Sequence, residues 1–415
     1  MTAVIRPSAL KGTISAPPSK SAAHRALICA ALSKGPAGAA PVSDSNDMLA
    51  TRAVLEAFGF PSSRKGQSIA FGPARPTQPV FPCRESGSTL RFLLPVAAAL
   101  GIEGEFTGEG RLPERPLEPL LSLMKAHGVH FSGDKLPFSL SGKLTPGLFE
   151  LPGNVSSQFI SGLLFALPLL EGASEIHITT PLQSAGYVEL TTQALAQAGI
   201  KIEKIPEGFR IPGCQQYQPC LLSVEGDWSG GAFWICAGAL SGKITVIGLN
   251  LASAQGDKAI IPILEEMGAS VSIEKDAVIV SPSPLHGCRI DAGPIPDLIP
   301  VLAVTAAYAR GDTEFYNAGR LRLKESDRLS VTAEMLRAFG GNVEEFPDKL
   351  VVHGGSSLHG GTVSGANDHR IVMSAAIAAC CCKEPVTISD AQAVSKSYPD
   401  FFEALKKLGG DCDVL

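Results

Sequence analysis

The segment LEAFGF, Leu55 to Phe60, places a glycine between the end of an amphipathic helical pattern and the start of a short extended one. Glycine is the usual residue just after a helix because it adopts the left-handed backbone conformation without strain. The same junction occurs six times, at intervals of 69 to 72 residues, with its glycine at Gly59, Gly128, Gly199, Gly268, Gly340 and Gly409. Such junctions are common in α/β proteins, but spacing this regular predicts six copies of one structural unit.

Each repeat also contains a second helix that is apolar on nearly every side after its first turn, as in SGGAFWICAGAL, Ser229 to Leu240. Such helices are expected to be buried, with the amphipathic helix of the same repeat outside. The sequence therefore predicts an α/β (α+β) protein with two globular domains of three repeats, residues 13–223 and residues 1–12 plus 224–415. The strand before Lys11 is expected to return to the second domain, because the sixth repeat otherwise runs out of chain at Leu415.

The composition indicates a soluble globular protein, since 45% of the residues are hydrophobic and only 18% are charged. A net charge of −5 gives no overall attraction to nucleic acid, and no apolar run is long enough to span a bilayer. The ten cysteines lack metal-ligand spacing, and Cys380 to Cys382 are consecutive within an apolar run. With no signal-peptide core in MTAVIRPSAL, these features favour reduced thiols and a cytoplasmic location.

The buried helices begin with unusually polar and cationic first turns. They include Ser19-Lys20-Ser21 with Arg25, Ser86-Gly87-Ser88 with Arg91, Ser156-Ser157-Gln158, and Asp368-His369-Arg370. Serine and aspartate at these positions could simply be N-caps. Capping does not explain the cations, which oppose the helix dipole unless an anion binds there. The pattern therefore indicates an anion-binding site.

Loop residues add to this cationic set, notably Arg115, Lys324, Arg328 and Lys396, although a run such as KESDR could also be an ordinary solvated surface. Asp297 has apolar neighbours on both sides, so it is either an N-cap or a base whose pKa is tuned by partial burial. The chain contains neither the P-loop pattern nor G-x-G-x-x-G after a strand, which argues against ATP hydrolysis.

Ten segments, taken in chain order, resemble the EPSP synthase family of enolpyruvyltransferases. They are PPSKSAAHRALICAALSKG, ESGSTLRFLLP, ERPLEPL, NVSSQFISGLL, SAGYVELT, VEGDWSGGAFW, IPDLIPVLAV, RLRLKESDRL, NDHRIVMSAA and SKSYPDF. The resemblance implies a two-domain inside-out α/β barrel with six βαβαββ units, three per domain, and buried parallel helices. It also implies an active site in the interdomain cleft.

The reaction implied by the resemblance transfers the enolpyruvyl group of phosphoenolpyruvate to the 5-hydroxyl of 3-phosphoshikimate and releases phosphate. It proceeds through a tetrahedral ketal and is a step in chorismate and aromatic amino acid biosynthesis. No metal or organic cofactor is implied, and the expected partners are the two small-molecule substrates alone. We expect a monomer with neither a nucleic-acid nor a membrane partner.

The resemblance further implies a role for individual residues. The expected phosphoshikimate-binding residues are Lys20, Ser21, Arg25, Ser156, Ser157, Gln158, Ser184, Tyr187, Asp297 and Lys324. The expected phosphoenolpyruvate-binding residues are Lys20, Gly87, Arg115, Gln158, Arg328, Arg370 and Lys396. The expected catalytic residues are Asp297 as base for the 5-hydroxyl, Glu325 as acid toward the methylene carbon, and Lys20.

Three positions depart from the pattern found in many members of the family. Glu85 and Ser88 stand where those members have Asn and Thr, and Arg320 stands where some have an Asn that touches phosphoshikimate.

Two alternatives stay open at this point. UDP-N-acetylglucosamine enolpyruvyltransferases share the fold, but they typically carry a reactive Cys in the loop corresponding to EGRLPERP, which has none here. A non-catalytic anion-binding scaffold would need the cations and would leave Asp297 and Glu325 unexplained.

Overall fold

The computed structural model describes residues 1–415 and divides them into two compact units. The first unit is Lys20–Val224, and the second unit combines Met1–Ser19 with Glu225–Leu415. Each unit contains three four-stranded sheets and six α-helices. The six repeats expected from the glycine spacing are therefore present as three in each unit.

The twelve helices alternate along the chain between a buried and an outer position. The buried helices are α1 (Lys20–Leu32), α3 (Gly87–Leu100), α5 (Ser157–Ala166), α7 (Trp228–Leu240), α9 (Ile299–Tyr308) and α11 (His369–Cys381). The outer helices are α2 (Asn46–Ala57), α4 (Leu120–Ala126), α6 (Ala185–Gln197), α8 (Ile260–Glu266), α10 (Arg328–Ala338) and α12 (Phe401–Lys407). Short 3-10 helices cover Leu112–Glu114, Leu167–Leu169, Gly256–Ala259, Gly319–Leu323 and Ala391–Lys396.

The strands are short, as expected for one layer around a helical core. The first half are β1 (Ala3–Arg6), β2 (Gly12–Ser15), β3 (Ala37–Ala40), β4 (Ser62–Lys65), β5 (Ser68–Phe71), β6 (Val80–Pro82), β7 (Gly104–Thr107), β8 (Val129–Phe131), β9 (Phe138–Gly142), β10 (Leu148–Leu151), β11 (Ser174–Ile178) and β12 (Glu203–Ile205). The second half are β13 (Gly208–Ile211), β14 (Leu221–Ser223), β15 (Ile244–Ile247), β16 (Ser270–Glu274), β17 (Ala277–Ser281), β18 (Arg289–Asp291), β19 (Asp312–Tyr316), β20 (Asn342–Glu345), β21 (Leu350–His353), β22 (Gly361–Ser364), β23 (Val386–Ser389) and β24 (Asp411–Val414).

All six sheets share one pairing pattern, with a parallel pair at one edge followed by two antiparallel pairings. The first unit has the orders β14-β3-β5-β4, β6-β7-β9-β8 and β10-β11-β13-β12. The second unit has β2-β15-β17-β16, β18-β19-β21-β20 and β22-β23-β1-β24. Because alternate side chains of a strand point to one face, Val278 and Val280 of β17 are buried while their neighbours are more exposed.

The buried helices form the centre of each unit because their sequences offer no polar face. In α7 every residue except Leu240 is buried, including Trp228, Phe233 and Trp234. Sheets then cover these helices with their apolar faces, and the outer helices present one apolar side only. None of the twelve helices combines the length and the apolar character needed to cross a bilayer. All ten cysteines are free thiols.

The predicted return of the N-terminal strand is confirmed. Strand β1 lies between β23 and β24, antiparallel to both, with Ala3 opposite Ile388 and Val414. It completes the sheet of the sixth repeat, as the shortage of chain at the C-terminus indicated.

The predicted boundaries between the domains need a correction at the N-terminal crossing. We expected the first domain to begin at residue 13, but β2 pairs in parallel with β15 and so lies in the second unit. At the second crossing, β14 pairs in parallel with β3 and so still belongs to the first unit. The chain consequently passes from one unit to the other after Ser19 and after Val224, because each crossing segment first completes a sheet of the unit that it leaves.

The six repeat glycines all have the left-handed conformation that the sequence pattern requires. Their φ angles are 92° at Gly59, 90° at Gly128, 75° at Gly199, 89° at Gly268, 82° at Gly340 and 99° at Gly409. At Gly59 a side chain would in addition collide with the backbone carbonyl oxygen of Arg75. The residue after the helix is therefore glycine for steric as well as conformational reasons.

We predict that Gly59→Ala lowers the stability of the protein by at least about 1–2 kcal/mol, because alanine is strained in the left-handed conformation. For a unit of this size, the corresponding loss in melting temperature is about 2–8 °C in a thermal unfolding experiment. The matched control is Gly133→Ala, at an exposed glycine outside the positive-φ set, where a Cβ would meet only the Lys135 carbonyl oxygen at an ordinary contact distance of 3.9 Å. Equal melting temperatures for the two variants would contradict the steric account of the repeat.

Candidate functional site

In the first unit, most of the expected binding residues lie at or near the starts of four helices. Lys20 and Ser21 open α1, Gly87 opens α3 and Ser157 opens α5. Ser184 immediately precedes α6 and has a left-handed backbone with φ of 56°. A helix start carries unpaired backbone N–H groups and partial positive charge, so each of these positions favours an anionic ligand.

Lys20 is held by a carboxylate that the sequence reasoning missed. Its Nζ lies 2.8 Å from Oδ2 of Asp47, and about 15% of each side chain is exposed. Asp47 belongs to the first turn of α2, where a negative charge interacts favourably with the helix dipole. The signal in the sequence was the helix start SNDM, which places an acidic residue in that first turn.

Arg25 is buried and connects α1 to α6. Its Nε donates to Oγ1 of Thr191 at 2.8 Å, and its Nη2 donates to the backbone carbonyl of Tyr187 at 2.7 Å. Its Nη1 donates to the carbonyl of Ser21 at 2.6 Å. Burial lowers the pKa of Arg25 to about 10, so the guanidinium keeps its charge at neutral pH. Ser21, Arg25 and Tyr187, expected to act on one substrate, are therefore assembled at one place.

Gln158 is fixed by two side chains of α3. Arg91 Nη1 donates to its Oε1 at 2.9 Å, and its own Nε2 donates to Oγ of Ser88 at 2.8 Å. Arg91 also donates to the carbonyl of Pro116 at 3.0 Å. These bonds determine which end of the Gln158 amide faces each neighbour, and they connect the starts of α3 and α5.

Gly87 lies against two guanidinium groups. A Cβ on this glycine would lie 2.7 Å from Nη1 of Arg91 and 2.7 Å from Nη1 of Arg115. Arg115 follows the short 3-10 helix Leu112–Glu114, which turns it back toward α3. Any side chain at residue 87 would displace both cations, and this explains why a glycine stands at the start of α3.

The serines at two of these helix starts are N-caps, as one of the two interpretations held. Ser86 Oγ accepts from the backbone N–H of Thr89 at 3.3 Å, and Ser156 Oγ accepts from that of Gln158 at 3.3 Å. In the second unit Asp227 and Asp368 cap α7 and α11 in the same way. Capping leaves other N–H groups of each first turn unpaired, so it is compatible with anion binding.

In the second unit, Arg328 joins three carboxylates although its side chain is only 1% exposed. Nη1 lies 2.7 Å from Asp297 Oδ1, Nη2 lies 2.6 Å from Glu325 Oε2, and Nε lies 3.0 Å from Asp368 Oδ2. Burial alone would lower the pKa of Arg328, but the surrounding negative charges outweigh it and raise this pKa. The expected base and the expected acid are thus held by one cation.

Asp297 is ionised and is not an N-cap. Helix α9 begins at Ile299, and the Asp297 carboxylate contacts Arg328, Lys324 at 3.6 Å and Arg370 at 3.4 Å. Burial by itself would raise the pKa of Asp297, but the three cations hold this pKa well below its ordinary value. The sequence left open whether Asp297 is an N-cap or a base whose pKa is tuned by burial. Burial does act on this pKa, but the three cations, which could not be located from the sequence, outweigh it.

The ammonium group of Lys324 has a pKa close to physiological pH. Burial lowers its pKa to about 8, against the opposing effect of Asp297, and the nearby charges of Arg328 and Arg320 act in the same direction as burial. Arg320 therefore affects the site by lowering the pKa of Lys324. The sequence showed only that an Arg stands where some family members have Asn, and it did not indicate this effect.

Asp368 orients two further expected residues and was absent from the expected set. One of its carboxylate oxygens accepts from the N–H of Arg370 at 2.9 Å, and the other accepts from Ser326 Oγ at 3.0 Å as well as from Arg328. The side chain is completely buried. Lys396, also buried, donates from Nζ to the carbonyl of Asn367 at 2.6 Å, next to the same helix start.

A second buried carboxyl of this unit was also missed. Asp257 accepts a hydrogen bond from Oγ of Ser229 at the start of α7, and it is 2% exposed. Burial, together with the charge of Asp297, raises the pKa of Asp257 to about 7. No group of three or more His, Cys, Asp or Glu side chains is placed to hold a metal ion.

The profile of the family EPSP synthase (3-phosphoshikimate 1-carboxyvinyltransferase) matches residues 4–405. A 3-phosphoshikimate 1-carboxyvinyltransferase of Clostridium kluyveri is 43% identical over 99% of this chain and 97% of its own length. The protein of that name from Clostridium acetobutylicum is 44% identical over 98% and 97%, respectively.

Solved structures share the fold. An EPSP synthase from Acinetobacter baumannii superimposes with a TM-score of 0.85 at 23% identity, over 100% of both chains. The enolpyruvyl transferase NikO from Streptomyces tendae gives a TM-score of 0.83 at 21% identity, covering 99% of this chain and 98% of its own. On the evidence of the nearly full-length sequence match, the chain belongs to the EPSP synthase family.

Proposed function

We propose that this chain transfers the enolpyruvyl group of phosphoenolpyruvate to the 5-hydroxyl of 3-phosphoshikimate, releasing phosphate, as a step in aromatic biosynthesis. The observation that carries this conclusion is the family match across residues 4–405. The relatives from two Clostridium species, both named 3-phosphoshikimate 1-carboxyvinyltransferase, support it over nearly their full lengths.

The first unit is proposed to bind anionic groups of both substrates. Helix starts and adjacent cations suit phosphates and carboxylates, because they combine backbone N–H donors with charge-assisted hydrogen bonds. The proposed phosphoshikimate ligands in this unit are Lys20, Ser21, Arg25, Ser156, Ser157, Gln158, Ser184 and Tyr187. The proposed phosphoenolpyruvate ligands are Lys20, Gly87, Arg115 and Gln158.

The second unit is proposed to supply the proton transfers as well as further cations. Arg328, Arg370 and Lys396 are the proposed phosphoenolpyruvate ligands, and Lys324 the proposed phosphoshikimate ligand. Arg328 keeps its contact with buried Asp368 as a fixed support, since this carboxylate has no exposure to solvent. The contacts of Arg328 with Asp297 and Glu325 are the ones that a substrate anion would weaken.

Asp297 is the proposed base for the 5-hydroxyl proton. Its three cationic neighbours make it a weak base in the unliganded protein, because they stabilise the ionised carboxylate. Substrate anions that attract Lys324, Arg328 and Arg370 would reduce this stabilisation and raise the proton affinity of Asp297. Binding of both substrates would thereby prepare the base for the reaction.

The proposed addition and elimination use the same two carboxyl groups. Asp297 removes the 5-hydroxyl proton, the oxygen bonds to C2 of phosphoenolpyruvate, and Glu325 donates a proton to the methylene carbon to give the tetrahedral ketal. Loss of the methyl proton to Glu325 then forms the enolpyruvyl product as the C2–O bond to phosphate breaks, and the departing phosphate takes the proton held by Asp297. Positioning two reactants in this way can contribute up to about 7–11 kcal/mol to lowering the barrier.

Cellular location and working form are also proposals. Ten free thiols suit a reducing compartment, which supports a cytoplasmic enzyme. All the proposed ligands and catalytic residues belong to one chain, which supports a monomer as the working form.

We predict that the purified protein releases phosphate from phosphoenolpyruvate only when 3-phosphoshikimate is present, without added metal. UDP-N-acetylglucosamine in place of 3-phosphoshikimate should give no release, which a colorimetric phosphate assay can measure. Release with the nucleotide sugar instead would assign the chain to the alternative reaction, and ligand binding without turnover would indicate an anion-binding scaffold.

We predict that Asp297→Ala lowers kcat by about 10²- to 10⁴-fold, the range expected for loss of a general base. Binding of 3-phosphoshikimate, measured by calorimetry, should persist or tighten because the variant removes a negative charge from beside three cations. Asp276→Ala, at an exposed aspartate of the same unit, is the control and should keep normal turnover. A kcat close to normal in Asp297→Ala would remove this residue from the base role.

We predict that the KM for 3-phosphoshikimate increases as the pH rises through about 8, where Lys324 loses its charge. If binding requires the charged lysine, KM should grow about tenfold for each further pH unit. Lys324→Arg keeps a positive charge at these pH values, so its KM should stay nearly constant from pH 7 to 9.5. The same alkaline increase in both proteins would show that another group is responsible.

A further inference from the structure

Four buried side chains from three helices and one N-cap form a continuous hydrogen-bonded network in the first unit. His24 Nδ1 of α1 lies 2.7 Å from Oγ1 of Thr51 on α2, which lies 2.7 Å from Oγ1 of Thr89 on α3. The Thr89 hydroxyl donates to Oγ of Ser86, the N-cap of α3, at 2.8 Å. All four residues are at most 1% exposed.

The environment keeps the imidazole of His24 uncharged. Burial, with the nearby charges of Lys20 and Arg25, holds the pKa of His24 well below its ordinary value. The ring packs edge-on against Phe92, with centroids 6.0 Å apart. One ring nitrogen therefore carries a proton and the other does not.

The number of protons available along this hydrogen-bonded network decides which nitrogen of His24 is protonated. Each hydroxyl has one proton, and that of Thr89 is donated to Ser86. The bond between Thr51 and Thr89 must then use the proton of Thr51. The bond between His24 and Thr51 consequently needs a proton from His24, which places it on Nδ1.

The other ring nitrogen supports this assignment. Nε2 of His24 is buried and has no hydrogen-bond partner. With the proton on Nδ1, Nε2 is an unpaired acceptor, whereas the opposite tautomer would bury an unpaired N–H donor. Buried N–H groups without a partner are the rarer case in folded proteins, so the Nδ1–H form is favoured.

The hydrogen-bonded chain joins the elements that carry the proposed donor-substrate ligands. Helix α1 begins with Lys20, α2 carries the Asp47 that holds Lys20, and α3 begins with Gly87 directly after Ser86. Gly87 lies against the guanidiniums of Arg91 and Arg115. The hydrogen bonds from His24 through Thr51 and Thr89 to Ser86 therefore connect the helix that carries Lys20 with the first turn of α3.

We propose that His24, as its Nδ1–H tautomer, is a positioning residue that acts through Thr51, Thr89 and Ser86 to hold the start of α3 in register with Lys20 for phosphoenolpyruvate binding. This inference rests on the proposed function for its substrate and on the hydrogen-bonded chain for its tautomer. Of the ligands at the two ends of this network, Gly87 is proposed for phosphoenolpyruvate alone and Lys20 for both substrates. Because Ser156, Ser157 and Ser184, proposed to bind phosphoshikimate, lie outside the network, its loss should raise the phosphoenolpyruvate KM more than that for 3-phosphoshikimate.

The kinetic test compares His24→Leu, which removes the donor, with His24→Asn, whose side-chain N–H can replace Nδ1–H. His24→Leu should raise the KM for phosphoenolpyruvate about tenfold or more and that for 3-phosphoshikimate by less than about threefold. His24→Asn should restore the phosphoenolpyruvate KM to within about threefold of the unaltered protein. Equal changes in both KM values, or no rescue by asparagine, would overturn the positioning role.

A second pair keeps the test decisive if His24→Leu fails to fold. Thr51→Val removes the central hydroxyl while keeping the shape, and Thr51→Ser keeps the hydroxyl. The valine variant should reproduce the selective rise in the phosphoenolpyruvate KM and the serine variant should not. Equal KM values for the two Thr51 variants would contradict the inference.

The tautomer is tested without any activity measurement, by NMR of the full-length protein labelled with ¹⁵N-histidine, with His24→Asn identifying the signal. His24 should show a protonated Nδ1, a bare Nε2 and no titration between pH 5.5 and 8.5. A protonated Nε2, or titration near pH 6.5, would overturn the inference even in an active enzyme. Absence of turnover in the unaltered protein would overturn the proposed function and the substrate part of the inference, while the tautomer result would stand on its own.

Discussion

The structure depends on the pairing of cations with carboxylates at helix starts. A charged side chain taken out of water is tolerated only where an opposite charge or hydrogen-bonding groups compensate it, and the compensating groups differ from one cation to the next. Lys20 has Asp47, while Arg328 has Asp368, Asp297 and Glu325. These carboxylates balance the charge of the cations, and substrate anions are proposed to compete with them for the same cations.

The repeated unit explains why the charged groups are collected at helix starts at all. Each repeat buries one helix that has no polar face. Polar and charged side chains therefore destabilise the fold least at the first turn of this helix. Six such helices, three in each unit, offer six comparable first turns. The residues of these turns differ, from Ser-Lys-Ser to Asp-His-Arg, so one architecture presents different polar groups at each helix start.

Much of this could be predicted from local patterns. The six glycines indicated the repeat because a left-handed residue after a helix has a clear sequence preference, and the missing strand of the sixth repeat indicated the return of β1. Local patterns could not show that β2 and β14 complete sheets across the crossing points, nor that Asp47 and Asp368 hold the cations. The depressed pKa of Asp297 likewise depends on Lys324, Arg370 and Arg328, which approach it only in the folded chain.

The central claim is that cations held by protein groups in the free protein, by carboxylates at Lys20 and Arg328 and by a backbone carbonyl at Lys396, turn to substrate anions when these bind. The most direct measurement is a crystal structure of the Asp297→Ala variant with phosphoenolpyruvate and 3-phosphoshikimate bound. We expect Lys20, Arg115, Arg328 and Lys396 each to contact a ligand oxygen at about 2.7–2.9 Å, with Asp368 still bonded to Arg328. Bound phosphoenolpyruvate with Arg328 and Lys396 still contacting protein groups alone would contradict the account.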